Sequence, residues 1–102
     1  MIICNTTISV PKHLQIEFIK YMREEYVPQS VDNCIITEPR LARVYSENEE
    51  GGYSYALEFK VESLDLLEEW NVTVGKNLYI KLMKHFKQNI PGFTTVLQPI
   101  NL

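Results

Sequence analysis

The sequence predicts an α+β domain in the order β-α-β-β-α-β. Three observations carry that prediction. Tyr53, Tyr55, Leu57, Phe59 and Val61 alternate with Ser54, Ala56, Glu58, Lys60 and Glu62, the period of a half-buried strand. Leu14, Phe18, Met22 and Tyr26 recur every four residues, the period of an amphipathic helix. Gly51-Gly52 and Pro91-Gly92 punctuate the chain where strands should turn.

The first strand covers residues 2–10, rich in the β-branched types Ile2, Ile3, Thr6, Thr7, Ile8 and Val10. Alternation puts Ile2, Cys4, Thr6, Ile8 and Val10 on its core face and Ile3, Asn5, Thr7 and Ser9 on the other. Pro11 opens the first helix, where a missing N–H costs nothing. Lys12, Glu17, Lys20, Arg23, Glu24 and Glu25 fill its solvent side, with Ile19 beside the apolar stripe. Pro28 is expected to stop or kink this helix, or to begin a short extra turn reaching Val31.

Residues 34–47 read as the second strand, and Pro39 within it marks an edge or a bulge. Residues 47–52 form a solvated acidic hairpin loop, and the third strand follows over 53–62. Ser63 is an N-cap for the second helix. Asp65, Glu68 and Glu69 suit the helix start; Lys76, Lys81, Lys84 and Lys87 suit its end. The apolar stripe changes direction midway. Leu67, Trp70 and Val74 point one way; Leu78, Tyr79, Leu82, Met83 and Phe86 point another, and Gly75 sits at the change. A kink or break near 72–76 is therefore expected. Phe93–Ile100 is the last strand, with Pro99 marking it as an edge.

This order predicts a single domain over residues 1–102. Its sheet should be four-stranded and antiparallel with both helices on one face, the ferredoxin-like arrangement. One sheet face is then left uncovered, and a chain of 102 residues gains from a second copy to cover it.

Composition bounds the function. The hydrophobic fraction is 45% with 23% charged residues, ordinary for a soluble globular chain and too apolar for disorder. A net charge of −3 argues against a nucleic-acid or anionic-membrane partner. No apolar run approaches the roughly 18 residues of a membrane span. The N-terminus lacks the pattern of a signal peptide, so cytoplasmic residence is expected, with Cys4 and Cys34 as free thiols.

The uncovered face is where a site is sought. If Ser46 opposes Tyr53 across the hairpin, Val44 opposes Tyr55 and Ala42 opposes Leu57. Ala42 and Val44 then join the core, and Leu41, Arg43 and Tyr45 join Ser54, Ala56 and Glu58 on the open face. The last strand adds either Thr94, Val96 and Gln98 or Phe93, Thr95 and Leu97. Asn5, Thr7, Arg43, Tyr45, Ser54 and Glu58 are thus the candidate ligand-binding or interface residues, with Arg43–Glu58 as an ion pair.

Other constellations point to no catalytic or metal chemistry. His13 and Glu17 stand one helical turn apart, a weak metal signal better read as a solvated pair. Nucleophile elbows and phosphate loops are absent from the sequence, and no cofactor is implied. Gly52-Tyr53-Ser54-Tyr55 resembles the aromatic third strand of RNA-recognition motifs. It departs from them at Gly51, where a basic residue is usual, and at Glu58, where an aromatic is.

A broader resemblance covers the chain. Residues 1–7 (MIICNTT), 39–44 (PRLARV), 51–59 (GGYSYALEF) and 93–95 (FTT) resemble an uncharacterised family of small bacterial proteins with no assigned activity. By fold the chain also resembles the dimeric α/β-barrel group, which includes cofactor-free monooxygenases and small-ligand-binding regulatory domains. That resemblance implies a homodimer joined through the open face. The monooxygenases use Asn, His or Trp groups in their cavity. Here Asn5 lies on the face taken for the cavity, whereas Trp70, His13 and His85 lie on helices. The expectation is therefore a non-enzymatic cytoplasmic homodimer binding a small ligand or partner protein at or beside the sheet–sheet interface. The alternative is a cofactor-independent enzyme of the monooxygenase type, with Asn5 and Arg43 polarising a substrate carbonyl.

Overall fold

The computed structural model describes residues 1–46 and 51–102. Four strands, β1 (Ile2–Pro11), β2 (Ile36–Val44), β3 (Gly52–Val61) and β4 (Gly92–Leu97), form one sheet in the order β2-β3-β1-β4. All its pairings are antiparallel. The two central strands are the ones with the cleanest alternation, and β2, with Pro39 inside it, is an edge, where a missing N–H leaves no ladder bond unmade.

The first helical arm begins with a 3-10 turn at Lys12–Leu14 and continues as α1 (Gln15–Tyr21), a π-helical turn at Met22–Tyr26 and α2 (Val27–Ser30). Pro28 therefore neither stops nor breaks the arm. The turn ahead of it is wider, with Val27 N–H bonded to the Met22 carbonyl. The second arm is α3 (Leu64–Trp70), a π-helical turn at Asn71–Gly75 and α4 (Lys76–His85). Ser63 caps it as expected, its hydroxyl accepting from Leu66 N–H at 3.2 Å. The phase change expected near 72–76 is this π turn. One extra residue rotates everything beyond it by about 100°, which is how Trp70 and then Leu78, Leu82 and Phe86 all reach the core.

Both arms pack on the same sheet face. Phe18, Leu82 and Ile90 are fully buried there, against Ile8, Val10, Leu57 and Val61. Phe18 stacks on Tyr55 at 5.3 Å and Phe86 at 6.0 Å between ring centroids. The Tyr55 hydroxyl donates to Gln15 Oε1, tying strand to helix. The molecule measures 37 × 34 × 18 Å, two layers thick, with the second face of the sheet open. Among the described residues no helix is long and apolar enough to cross a membrane.

The β2–β3 register differs from the expected one. Arg43 pairs with Tyr55, Ala42 with Ala56 and Val44 with Ser54. The cause lies at Pro39. The ladder slips between Thr37, opposite Lys60, and Arg40, opposite Glu58, so Glu38 and Pro39 together span one residue of β3. This is a β-bulge, with Glu38 in the left-handed region at φ 51°. One inserted residue exchanges the faces of everything after it. Leu41 and Arg43 go to the helix side; Arg40, Ala42 and Val44 go to the open face. The acidic loop expected at 47–52 lies partly outside the described residues.

Candidate functional site

A deep concavity lies away from the open face. A cleft of about 650 Å³ runs between the sheet and the second helical arm, beside edge strand β4. The sheet supplies Cys4 and Thr6 from β1, Phe59 from β3 and Thr94 from β4. The helical layer supplies Tyr26, Leu64, Leu67, Trp70, Gly75, Tyr79 and Ile80. Glu68, Asn71 and Lys76 add polar groups at exposed positions. The walls are therefore mainly apolar and aromatic with a few polar groups, the make-up of a small-molecule site.

Its aromatic wall is held where the two arms meet. The Trp70 indole N–H donates to the Ser30 carbonyl at 2.8 Å, and the Ser30 hydroxyl donates to the Tyr26 carbonyl at 2.7 Å. One buried serine thus locks the Trp-bearing arm to the Tyr-bearing arm. Phe59 faces Trp70 at 6.3 Å between centroids. Gly75 is required where it stands: a Cβ there would lie 2.3 Å from Trp70 Cζ3. The indole occupies the space that any other residue at 75 would fill.

Burial sets the chemistry of the titratable groups. Desolvation pushes the Cys4 thiol above its ordinary value. Desolvation first, then the neighbouring Cys4, Tyr79 and Tyr21, pushes the Tyr26 phenol up to about 12. Both are neutral at physiological pH. A neutral thiol is a poor nucleophile. Thr6 and Thr94 face each other across the β1–β4 pair with hydroxyls 3.0 Å apart.

The open face holds only part of the expected constellation. Asn5, Thr7, Ser54 and Glu58 are there, with Asn5 directly opposite Glu58 and Thr7 opposite Ala56. Asn5 Nδ2 donates to Thr7 Oγ1 at 3.3 Å, while Asn5 Oδ1 is buried without a hydrogen-bond partner among the described residues. Arg43 and Tyr45 are not on that face, because the bulge reverses them. The Arg43 guanidinium instead lies over the Tyr53 ring at 3.7 Å and near the Tyr45 ring at 5.1 Å. Glu58 pairs with Arg40, at 2.8 Å, in place of the expected Arg43. Asn5 and Arg43 thus stand on opposite sides of the sheet and do not converge on one carbonyl. Of the two alternatives for β4, Phe93, Thr95 and Leu97 face outward, opposite Thr7, Asn5 and Ile3. Phe93 is 64% exposed and Leu97 42%.

Glu17 pairs with His85 across the two arms at 3.2 Å, not with His13. Among the described residues no group of three His, Cys, Asp or Glu side chains is placed to hold a metal. Cys4 is a buried and Cys34 an exposed free thiol.

Sequence reasoning missed the cleft because it sought the cavity between two sheets, where Trp70 has no place. A signal was present. A glycine inside a helix costs about 1 kcal/mol relative to alanine, so Gly75 needs a packing reason, and Trp70 five residues before it supplies one.

Residues 1–100 match the family described as a domain of unknown function (DUF4286), and the chain belongs to that family. No match is found among curated proteins. Several solved structures share the fold. An ethyl tert-butyl ether D family protein from Bacillus halodurans aligns with a TM-score of 0.74 at 13% identity, covering 98% of this chain and 100% of that one. A protein provisionally named an antibiotic biosynthesis monooxygenase from Deinococcus radiodurans gives 0.69 at 13%, covering 100% and 95%. A dimeric ferredoxin-like protein from an uncultured marine organism gives 0.69 at 11%, covering 100% and 97%. At these identities the likeness establishes the ferredoxin-like fold.

Proposed function

We propose that this DUF4286 protein is a cytoplasmic homodimer that binds a small, largely apolar molecule, without catalysing its conversion. The observation that carries the reading is the cleft of about 650 Å³ between sheet and second arm, walled by Tyr26, Phe59 and Trp70. Its volume suits a molecule of drug-like size. The hydroxyls of Thr6 and Thr94 would meet a polar edge of that molecule, and Trp70 would stack on its flat part.

The dimer in this reading joins the open sheet faces of two copies. Phe93, Leu97, Val44 and Ile3 supply apolar area there, around Asn5, Thr7, Ser54 and Glu58. A face of that composition is stabilised by leaving water. One fold neighbour is described as dimeric, which supports a dimer here. The small-molecule site then lies behind the interface, on the helix side of each sheet, rather than between the sheets.

Trp70 is the only tryptophan, so it reports on the cleft directly. Titration with 1-naphthol is expected to quench its emission saturably, and Thr94→Phe, which fills the cleft beside β4, is expected to abolish the quenching. Quenching that does not saturate, or that survives Thr94→Phe, overturns the assignment. Light scattering is expected to give twice the chain mass, and a monomer at micromolar concentration overturns the dimer. The provisional name of one neighbour favours an enzymatic reading. Oxygen consumption with a hydroquinone, lost in Trp70→Phe, would decide for it.

A further inference from the structure

The cleft and the open face leave one built feature unused. Two of the three arginines, Arg23 and Arg43, line a groove of about 470 Å³ between β2 and the first helical arm, while Arg40 at its edge turns its guanidinium to Glu58 on the open face. The groove floor is apolar, formed by Ile19, Met22, Val27, Leu41, Tyr55 and Leu57. It lies across the sheet from the Trp70 cleft, because β2 is one edge of the sheet and β4 the other.

The bulge builds this site. Without it, Leu41 and Arg43 would face the open side; with it, both face the helices. The strained Glu38 backbone at φ 51° is therefore tied to the placing of an arginine on an apolar floor. Each guanidinium has a distinct setting. Arg40 pairs with Glu58 at 2.8 Å. Arg43 stacks on Tyr53 at 3.7 Å. A stacked guanidinium directs its N–H donors outward around its edge, and five donors serve more than one acceptor. Arg23 rises from the exposed side of the Met22–Tyr26 turn, with no carboxylate paired to it among the described residues. Arg23 and Arg43 beside an apolar floor, in a chain of net charge −3, make this groove an anion site.

We propose that the groove binds an organic carboxylate with an apolar tail. The carboxylate takes parallel N–H bonds from Arg43, reinforced by the charge of Arg23. The tail lies on Ile19, Val27 and Leu41, the half-buried members of the floor. An apolar molecule without the charge gains only the floor, and inorganic anions gain only the arginines. The site so assigned is independent of the cleft behind Trp70.

Octanoate is the probe, with octanol and inorganic phosphate as comparators. Amide shifts of the whole chain are followed by ¹H–¹⁵N NMR. Octanoate is expected to move the amides of Leu41, Arg43 and Leu57 saturably, and more tightly than octanol or phosphate does. Arg43→Ala and Arg23→Ala are each expected to weaken it about tenfold, the usual scale for losing a charge-assisted bond. Arg43→Lys, which keeps the charge but not the fork, should fall between. Arg23 is exposed on a helical turn, so its variant folds and keeps the test decisive even if Arg43→Ala does not. The proposal is overturned if octanoate shifts map to the cleft alone, if octanol binds equally well, or if Arg23→Ala leaves octanoate affinity unchanged.

Discussion

On β1 and β3 the two faces of the sheet separate by a strict two-residue period. Ile2, Cys4, Ile8 and Val10 are buried, as are Tyr55, Leu57, Phe59 and Val61, while Asn5, Thr7, Ser54, Ala56, Glu58 and Lys60 are half-buried on the opposite side. On β2 the same period fails after Thr37, and what looks like a core pair, Ala42 and Val44, is exposed. The difference teaches where function has room. Central strands are constrained by partners on both sides, so their alternation is enforced by burial. An edge strand has one partner and can absorb an extra residue, and here that residue turns Arg43 from one side of the protein to the other.

Substitution on the two faces tests this contrast most strongly. Leu57→Ala removes a 1% exposed side chain from the helix-covered face and is expected to cost about 2–5 kcal/mol in urea unfolding. Ala42→Ser, at a position the alternation alone would place in the core, is expected to stay within about 0.5 kcal/mol. A large loss at Ala42 would restore the unbulged register.

Titration gives the next effect. The Tyr26 phenol rises from an ordinary 10.0 to about 12 in the folded state. The folded protein thus keeps this proton at pH values where the unfolded chain has lost it, so the associated stability is whole below pH 10.0 and is lost as pH climbs through about 12. The loss is on the order of 2–3 kcal/mol, and Tyr26→Phe should flatten the stability profile over that window. An unchanged slope would mean that the phenol is not desolvated.

Gly75→Ala should cost about 1–3 kcal/mol, because the methyl and the indole claim the same space. Its emission should shift to the red as the indole is displaced toward water, and a native spectrum would argue against the close approach. Smallest of all, Glu38→Gly removes the penalty of a left-handed backbone and is expected to raise stability by about 0.5–1 kcal/mol in the same denaturation assay. A loss there would place Glu38 in an ordinary conformation and remove the bulge.

Much of the molecule was legible beforehand, and the reasons differ from element to element. The strands at 2–10 and 53–62 and the stripe from Leu14 to Tyr26 are periodic enough to read directly. Asn5, Thr7, Ser54 and Glu58 were placed on the correct face for that reason. The stripe change around Gly75 was located correctly, although periodicity does not distinguish a kink from a π turn: both rotate the residues beyond them. Arg43 and Tyr45 are assigned to the other face by a register read from the hairpin end, with Ser46 opposite Tyr53; the observed pairing of Val44 with Ser54 is one residue away from it, and a one-residue slip exchanges the faces.

The sequence alone determined which residues are apolar at what spacing, and hence the six elements, their order and the exposed second face. Those properties are local: side-chain period follows from backbone geometry within a few residues. Tertiary structure decided the rest. The slip at Glu38-Pro39 is chosen by how β2 hydrogen-bonds to β3 and packs on the first arm, a contest between contacts some twenty residues apart. The cleft exists because Ser30, Trp70 and Gly75, from two arms, close on one another, and no window along the chain contains all three. The groove of arginines exists only once that slip has turned Arg43 toward Arg23.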